Sequence, residues 1–214
     1  MNKCVHFRIV SVLSVFTLCF FFSVSNAQTT LPNYTPQNGD IIFHTSTSNQ
    51  SDAIKFATKS KYTHCGIVYV EAGKAYVLEA EGRVISTPLM EWILRGKDHK
   101  YVIKRLSNAA QVITPTALEK MKAIGKTFMG KLYDKTFEWS DTKMYCSELV
   151  WKIYDRALGI KVGETQSLRD FDLNNKIVYE ILNNRYHGKT PYDETVISPR
   201  AVFDSKLLIK VAER

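Results

Sequence analysis

The chain has 214 residues, 45% hydrophobic and 23% charged, the proportions of an ordinary globular protein. They exclude a disordered chain, a collagen-like repeat and a coiled coil, and the length suffices for one sizeable core or two small ones. Lys and Arg number 29 against 21 Asp and Glu, a formal charge of +8, and the four cysteines are too few for a disulfide scaffold.

Met1 to Arg8 carries Lys3 and Arg8 and no acid. Ile9 to Val24 is almost wholly apolar, and Ser25-Asn26-Ala27 puts small residues where a signal peptidase cuts. The pattern predicts a secretory signal peptide over 1–27, cleaved before Gln28. A membrane anchor is the alternative, but the apolar run falls short of the roughly 20 residues of a spanning helix. The flanks of Cys19 do not match a lipoprotein signal. Cleavage leaves an exported periplasmic or extracellular domain, 28–214, of 187 residues. It holds 27 basic and 21 acidic side chains and two cysteines, Cys65 and Cys146. Its modest positive charge suits an anionic cell envelope. There is no zinc-ligand spacing, no Gly-rich phosphate loop, no nucleic-acid signature and no further membrane-spanning stretch. No metal, cofactor or nucleic-acid partner is expected. The oligomeric state is not legible.

Residues 28–38, with Pro32 and Pro36, read as a lead-in. Gly39-Asp40 then opens a short strand, Ile41-Ile42-Phe43. Asn49 to Lys59 reads as a helix with Ile54, Phe56 and Ala57 on one side. Thr63 to Val70 and Ala75 to Ala80 form a hairpin about the turn Glu71-Ala72-Gly73-Lys74, and Arg83 to Thr87 extends the sheet. Pro88 suits the start of a helix running to about Arg95, and Tyr101 to Leu106 is another strand. Thr116 to Met129 is a helix, with Leu118, Met121, Ile124 and Phe128 at helical spacing and Gly130 as its stop. Tyr145 to Leu158 is a second, with an apolar face of Leu149, Val150, Ile153, Tyr154 and Leu158 and Gly159 as its stop. Ile177–Leu182 and Leu207–Val211 read equally as strand or helix, and Ser198-Pro199-Arg200 breaks the stretch between them. The expected fold is one α+β domain, a mostly antiparallel sheet with helices packed on it.

Cys146 opens the second strong helix, and Ser140, Asp141 and Thr142 just upstream are candidate caps. A thiol at a helix start feels the positive end of the helix dipole, which favours the thiolate. The free N–H groups there can hold an oxyanion. A lone cysteine is otherwise a small buried hydrophobe. A thiolate nucleophile needs a base. Of His44, His64, His99 and His187, His64 is best placed, because it opens a strand of the hairpin. If the hairpin loop is Glu71-Ala72, facing residues sum to 143 and His64 faces Glu79; if it is Ala72-Gly73, they sum to 145 and His64 faces Glu81. Opposed side chains lie roughly 5 Å apart, so either carboxylate can orient the ring. Glu79 is the favoured partner, since a carboxylate within an apolar strand is costly without a role. Cys65 adjoins His64 on a strand and is expected to point to the opposite face, away from Cys146, as a packed core residue.

The residues Gly39-Asp40-Ile41-Ile42-Phe43, Tyr62-Thr63-His64-Cys65-Gly66-Ile67-Val68, Leu78-Glu79-Ala80, Pro88-Leu89 with Trp92, and Tyr145-Cys146-Ser147-Glu148-Leu149 together resemble the YiiX-like cysteine hydrolases. These are circularly permuted members of the NlpC-type papain-fold superfamily. The resemblance runs from about Asn38 to Leu158. It implies a papain-like fold with the His strand before the Cys helix, a Cys nucleophile, a His base and a third polar residue. These match Cys146, His64 and Glu79. Cys65 departs from the small apolar residue expected at its position.

Tyr62, Tyr145, Asp40 and Ser46 flank or precede these residues and are candidates for substrate binding. Aromatic packing is the competing role for the tyrosines. Trp139 is a candidate cleft wall. The resulting expectation is an exported thiol hydrolase that cleaves a peptide, isopeptide or N-acyl amide through an acyl-enzyme, with cell-envelope peptides among the substrates. The alternatives are an acyl hydrolase or acyltransferase acting on lipid-like substrates, and a non-catalytic binding or structural domain, the latter held by a Cys65–Cys146 disulfide.

Overall fold

The computed structural model describes Met1, Leu31 and residues 34–48 and 50–214. The signal peptide expected over 1–27 therefore lies, apart from Met1, outside the described residues. β1 (Ile41–His44) is buried along its whole length. After α1 (Ser51–Thr58) come β2 (His64–Glu71), β3 (Lys74–Glu81) and β4 (Arg83–Pro88), then α2 (Leu89–Arg95) and β5 (Val102–Leu106). α3 (Ala109–Val112) and α4 (Pro115–Phe128) precede α5 (Cys146–Leu158). The C-terminal part holds β6 (Gln166–Ser167), α6 (Lys176–Tyr186), β7 (Thr195–Val196), α7 (Pro199–Phe203) and β8 (Leu208–Glu213). Six strands form one sheet in the order β4-β3-β2-β1-β5-β8, with every neighbouring pair antiparallel. The fold is the expected α+β arrangement.

Strand alternation divides the core between the two faces of this sheet. Ile41, Phe43, Cys65, Ile67, Leu78 and Ala80 join Met121 and Phe128 of α4 and Leu149, Val150, Ile153 and Tyr154 of α5. Ile42, Val68, Val77 and Ile103 face the other way, against Leu89, Trp92 and Ile93 of α2. A third, smaller cluster joins Ala53 of α1 to Val178 and Leu182 of α6.

Several boundaries and faces differ from the sequence reading. The hairpin loop is Ala72-Gly73, both with positive φ (48° and 77°), as a two-residue turn matched to strand twist requires. Its pairs, from Ile67↔Leu78 to Glu71↔Lys74, sum to 145. Pro88 ends β4 instead of opening α2. Phe56 of α1 faces outward, and Ser51, Ala53 and Thr58 are the residues that α1 buries. The ambiguous Ile177–Leu182 lies in helix α6, Leu207–Val211 falls largely in strand β8, and the expected break at Ser198-Pro199 is a helix start. Ser198 Oγ there accepts the Ala201 N–H (3.0 Å), with Pro199 in the first turn.

Candidate active site

Tyr145 is extended (φ −104°, ψ 164°) and caps α5, so Cys146 is the first helical residue. Ser140, Asp141 and Thr142 do not cap it. Instead Ser140 O and the Asp141 carboxylate receive Lys152 Nζ (2.6 and 2.9 Å), and Asp141 also takes a bidentate bond from Arg156 (2.7 and 2.8 Å). Two hydrogen bonds to Ile197 fix the first turn from outside: its N–H donates to Tyr145 Oη (3.1 Å), and its carbonyl accepts Ser147 Oγ (2.7 Å). Beneath that turn, buried Glu148 pairs with Lys152 (2.7 Å). Burial nevertheless outweighs the ammonium and raises the Glu148 carboxyl to about 7.

His64 begins β2 and stacks on the Trp92 indole (5.8 Å), beside His44, which also stacks on Trp92 (3.9 Å). His64 Nε2 donates to Glu79 Oε2 at 2.7 Å, and both side chains are buried. The other Glu79 oxygen accepts the Thr87 hydroxyl (2.5 Å) and the Arg95 guanidinium. This is a diagonal contact. By the observed register His64 would face Glu81, but Glu79 leans across Gly66, where an added Cβ would sit 2.5 Å from a Val77 methyl and 2.7 Å from the Leu78 carbonyl oxygen. Glycine at that position keeps the crossing open. Burial pushes Glu79 up, yet the hydrogen bond and charge of His64, then Thr87 and Arg95, hold it at about 2.

Cys146 lies among the α5-side core residues with Cys65, while His64 stands on the α2 face. Because Cys146 meets the sheet at the beginning of β2, both neighbours reach it. Contact with the Cys65 side chain, opposed by burial and reinforced by the charge and hydrogen bonding of His64, lowers the Cys146 thiol well below its ordinary value. Burial likewise disfavours a charged His64, but Cys146 first and Glu79 second raise it to about 10. Both shifts favour a thiolate beside an imidazolium. The expectation that Cys65 faces away from Cys146 is corrected: strand alternation holds, but at a strand end it does not separate the two faces. Both cysteines are free.

Of the substrate-binding candidates, Ser46 lies with His44 and His64 along a polar groove that also includes Arg95 and Lys97. Tyr145 lines an apolar cleft on the other side of Cys146. Asp40 and Tyr62 are not part of either. Asp40 is buried in its own network, accepting Tyr34 Oη (2.5 Å) and Arg105 Nε (2.6 Å). Tyr62 stacks on Phe203 (4.1 Å) as packing. Trp139 rests edge-on against Trp151 (5.2 Å) instead of walling the cleft. His99 is exposed, bonds Leu94 O and lies on the rim of the polar groove, whereas His187 caps α6, away from both clefts. The sequence reading missed Thr87 and Arg95, which complete the shell of Glu79. Arg95 lies one helical turn after Trp92, a signal usable only once the docking of α2 is known.

The apolar cleft encloses about 660 Å³, solvent at its mouth included. Cys146 and Tyr145 line it together with Ala53 and Ala57 of α1, Val178, Ile181 and Leu182 of α6, and Leu168, Phe171 and Val196. Among the described residues no three His, Cys, Asp or Glu side chains converge to hold a metal ion, and no helix is long and apolar enough to cross a membrane.

A helix presenting a buried cysteine from its first residue to an antiparallel sheet that carries a histidine is the arrangement of papain-type thiol hydrolases. A family model described as the permuted papain-like amidase enzymes of the YaeF/YiiX, C92 family matches residues 35–212, and the chain belongs to that family. It is a cysteine hydrolase of amide bonds. The uncharacterized protein YiiX of Escherichia coli (strain K12) is 46% identical over 178 residues, 83% of this chain and 87% of that one. A crystal structure of metalloprotein yiiX from Escherichia coli O157:H7 matches with a TM-score of 0.80 at 46% identity, covering 85% of this chain and 99% of that one.

Proposed function

We propose that the chain is an exported hydrolase of amides that carry an apolar acyl group, with Cys146 as nucleophile, His64 as acid and base, and Glu79 orienting His64. The observation that carries this reading is the position of Cys146, between the histidine on one side and an apolar cleft on the other. With Nε2 committed to Glu79, Nδ1 is the ring nitrogen left for the thiol. The thiolate attacks the amide carbonyl while the acyl chain lies in the cleft. The unpaired N–H groups of the first turn of α5, that of Cys146 included, face the developing oxyanion. His64 gives its proton to the leaving nitrogen, the amine departs, and a thioester remains. A water then loses a proton to His64 and attacks the thioester, releasing the acid and restoring the thiol pair.

Hydrolysis of octanoyl-p-nitroanilide by the purified protein tests this. Cys146→Ala is expected to lower the rate at least ~10³-fold, and full activity in that variant would refute the assignment. Export is tested separately. N-terminal sequencing of the protein from a cell-envelope fraction is expected to begin at Gln28, and a start at Met1 would exclude cleavage.

A further inference from the structure

Cys65 is the second thiol at the centre of the site. It sits in β2 opposite Phe43 and is wholly buried, as Cys146 nearly is. Around it, on the α5 side of the sheet, the packing is apolar: Phe43, Ile67, Leu149 and Val150. A small aliphatic side chain would fill that place without loss of packing. A thiol there adds one thing, a hydrogen-bonding contact with the side chain of Cys146. The two cysteines are free.

The two sulfurs are not equivalent. Cys146 lines the apolar cleft, and Cys65 borders neither that cleft nor the polar groove. A small oxidant entering the cleft therefore meets Cys146 first. Cys146 also carries the thiolate character that reacts with such an oxidant, whereas burial, and then Cys146 itself, raise the Cys65 thiol and keep it protonated. An accessible thiolate with a protonated thiol against it is the arrangement of a reacting and a resolving cysteine. Side chains already in contact lie within reach of a disulfide.

We propose that Cys65 and Cys146 form a reversible oxidation site, in which a hydroperoxide oxidises Cys146 and Cys65 resolves the product as a disulfide, closing off the nucleophile until a dithiol reduces it. In the first step the thiolate attacks the terminal oxygen of the peroxide. The S–O bond forms and the O–O bond breaks. The departing oxygen takes the proton of His64 and leaves as an alcohol, or as water from hydrogen peroxide. Cys146 is now a sulfenic acid, oxidised by two electrons. Cys65 then attacks that sulfur: the S–S bond forms, the S–O bond breaks, and the hydroxide leaves with the Cys65 proton as water. A dithiol reverses the bond by exchange, returning both thiols and becoming a disulfide itself. Without Cys65, further peroxide carries Cys146 to the sulfinic acid, which a dithiol does not reverse. This goes beyond the amidase reading and needs only that Cys146 react as a thiolate. It also differs from a structural Cys65–Cys146 disulfide, since here the paired state is the inactive one.

The test is peptide mapping of the full chain, without reductant, after pre-reduction, removal of the reductant and exposure to hydrogen peroxide. The chain also carries Cys4 and Cys19, so the bond is read from linked peptides. A Cys65–Cys146 pair, two hydrogens lighter than the two thiol peptides, is expected to account for most of the oxidised Cys146. Dithiothreitol is expected to return it to thiol, and hydrolysis of octanoyl-p-nitroanilide to fall and recover in step. In Cys65→Ser, and in Cys65→Ala as a second replacement, Cys146 is expected to gain two oxygens. Recovery, measured against each variant's own starting rate, is expected to be lost. Should neither variant fold, the wild-type map decides alone. The proposal is overturned if wild-type Cys146 reaches the sulfinic acid without the linked peptide, if Cys146 is not oxidised, or if the bond is present in the isolated protein and resists dithiothreitol. Recovery in the variants as full as in the wild type would overturn it too. A protein that forms the reversible bond but cleaves no amide would refute the amidase reading and leave this one standing.

Discussion

On the helix side of Cys146 the walls are aliphatic and aromatic, drawn from α1, α6 and the segments around Phe171 and Val196. On the strand side they are His44, Ser46, His64, Arg95 and Lys97. The first region is an apolar cleft beside the thiol. In the second, the base and its carboxylate are committed, His64 to Glu79, Glu79 to Thr87 and Arg95, and the ring itself to Trp92, while His44 Nδ1, Trp92 Nε1 and Arg95 Nε beside them are buried without a hydrogen-bond partner. The difference matches two demands of acyl transfer. A base has to be held in one orientation, which takes a buried carboxylate that is itself hydrogen-bonded, as Glu79 is. An acyl chain has to be received without competing polar contacts, which takes apolar surface. On the proposed mechanism the leaving amine and the attacking water use the polar groove, where His64 can exchange protons with them.

The largest way to break this division is on the strand side. His64→Ala is expected to reduce hydrolysis about 10³-fold and to raise the Cys146 thiol, leaving the Cys65 contact as what still lowers it. In the wild type, Cys146 is held low and His64 at about 10. Alkylation is therefore expected to stay fast well below pH 8, and to change next only as His64 loses its proton. In His64→Ala it is expected to rise at higher pH than in the wild type, the charge and hydrogen bond of His64 being lost. A wild-type profile no different from that of His64→Ala would remove the ion pair from the account.

Glu79→Gln is the next largest. The amide keeps the shape but not the charge that orients and stabilises the imidazolium, and a loss of about 10²-fold in rate is expected, within the range known for groups that hold a catalytic or metal-bound histidine. The same residue gives a stability signature. Its folded pKa, about 2, lies below the ordinary 4.5. Its contribution is thus fully present above pH 4.5 and lost as pH falls through about 2. By linkage this is worth about 3 kcal/mol. Thermal melts between pH 2 and 5 are expected to lose this slope in Glu79→Gln. Identical slopes in the two proteins would mean that His64 and Arg95 do not hold the carboxylate.

How far this was legible in sequence depended on range. Local periodicity located the sheet strands β1 to β5 and helices α2, α4 and α5, because apolar spacing and stop glycines are carried by neighbouring residues. It failed for Ile177–Leu182, whose helix depends on packing against α1, and for Phe56, whose outward orientation follows from how α1 docks. Cys146, His64 and Glu79 stood out by residue type and position, yet the pairing argument for Glu79 did not describe its actual route. The contact is diagonal and depends on the missing side chain at Gly66. Asp40 looked like a rim residue because it precedes a strand, and only the distant Arg105 and Tyr34 show it to be buried structure. The hydrogen bonds of Gln50 with Tyr133 and Arg185 join residues 83 and 135 positions apart, a separation at which no spacing rule operates.

The helix side can be probed by two substitutions on one helix. Ala53 of α1 is buried and lines the cleft. Ala53→Phe fills part of the space next to Cys146 without touching His64 or Glu79. It is expected to raise KM for octanoyl-p-nitroanilide about tenfold, a loss comparable to one or two methylenes of apolar contact, while the alkylation profile of Cys146 keeps its wild-type shape. Three residues on, Phe56 is 36% exposed and lies outside the cleft lining. Phe56→Ser is expected to change stability by less than about 0.5 kcal/mol and to leave kcat and KM unchanged, the smallest effect of the series. If Phe56→Ser raised KM as much as Ala53→Phe, α1 would be acting through its overall stability and not through the face it turns to Cys146. The contrast between an apolar receiving wall and a polar catalytic wall would then lose its helix half.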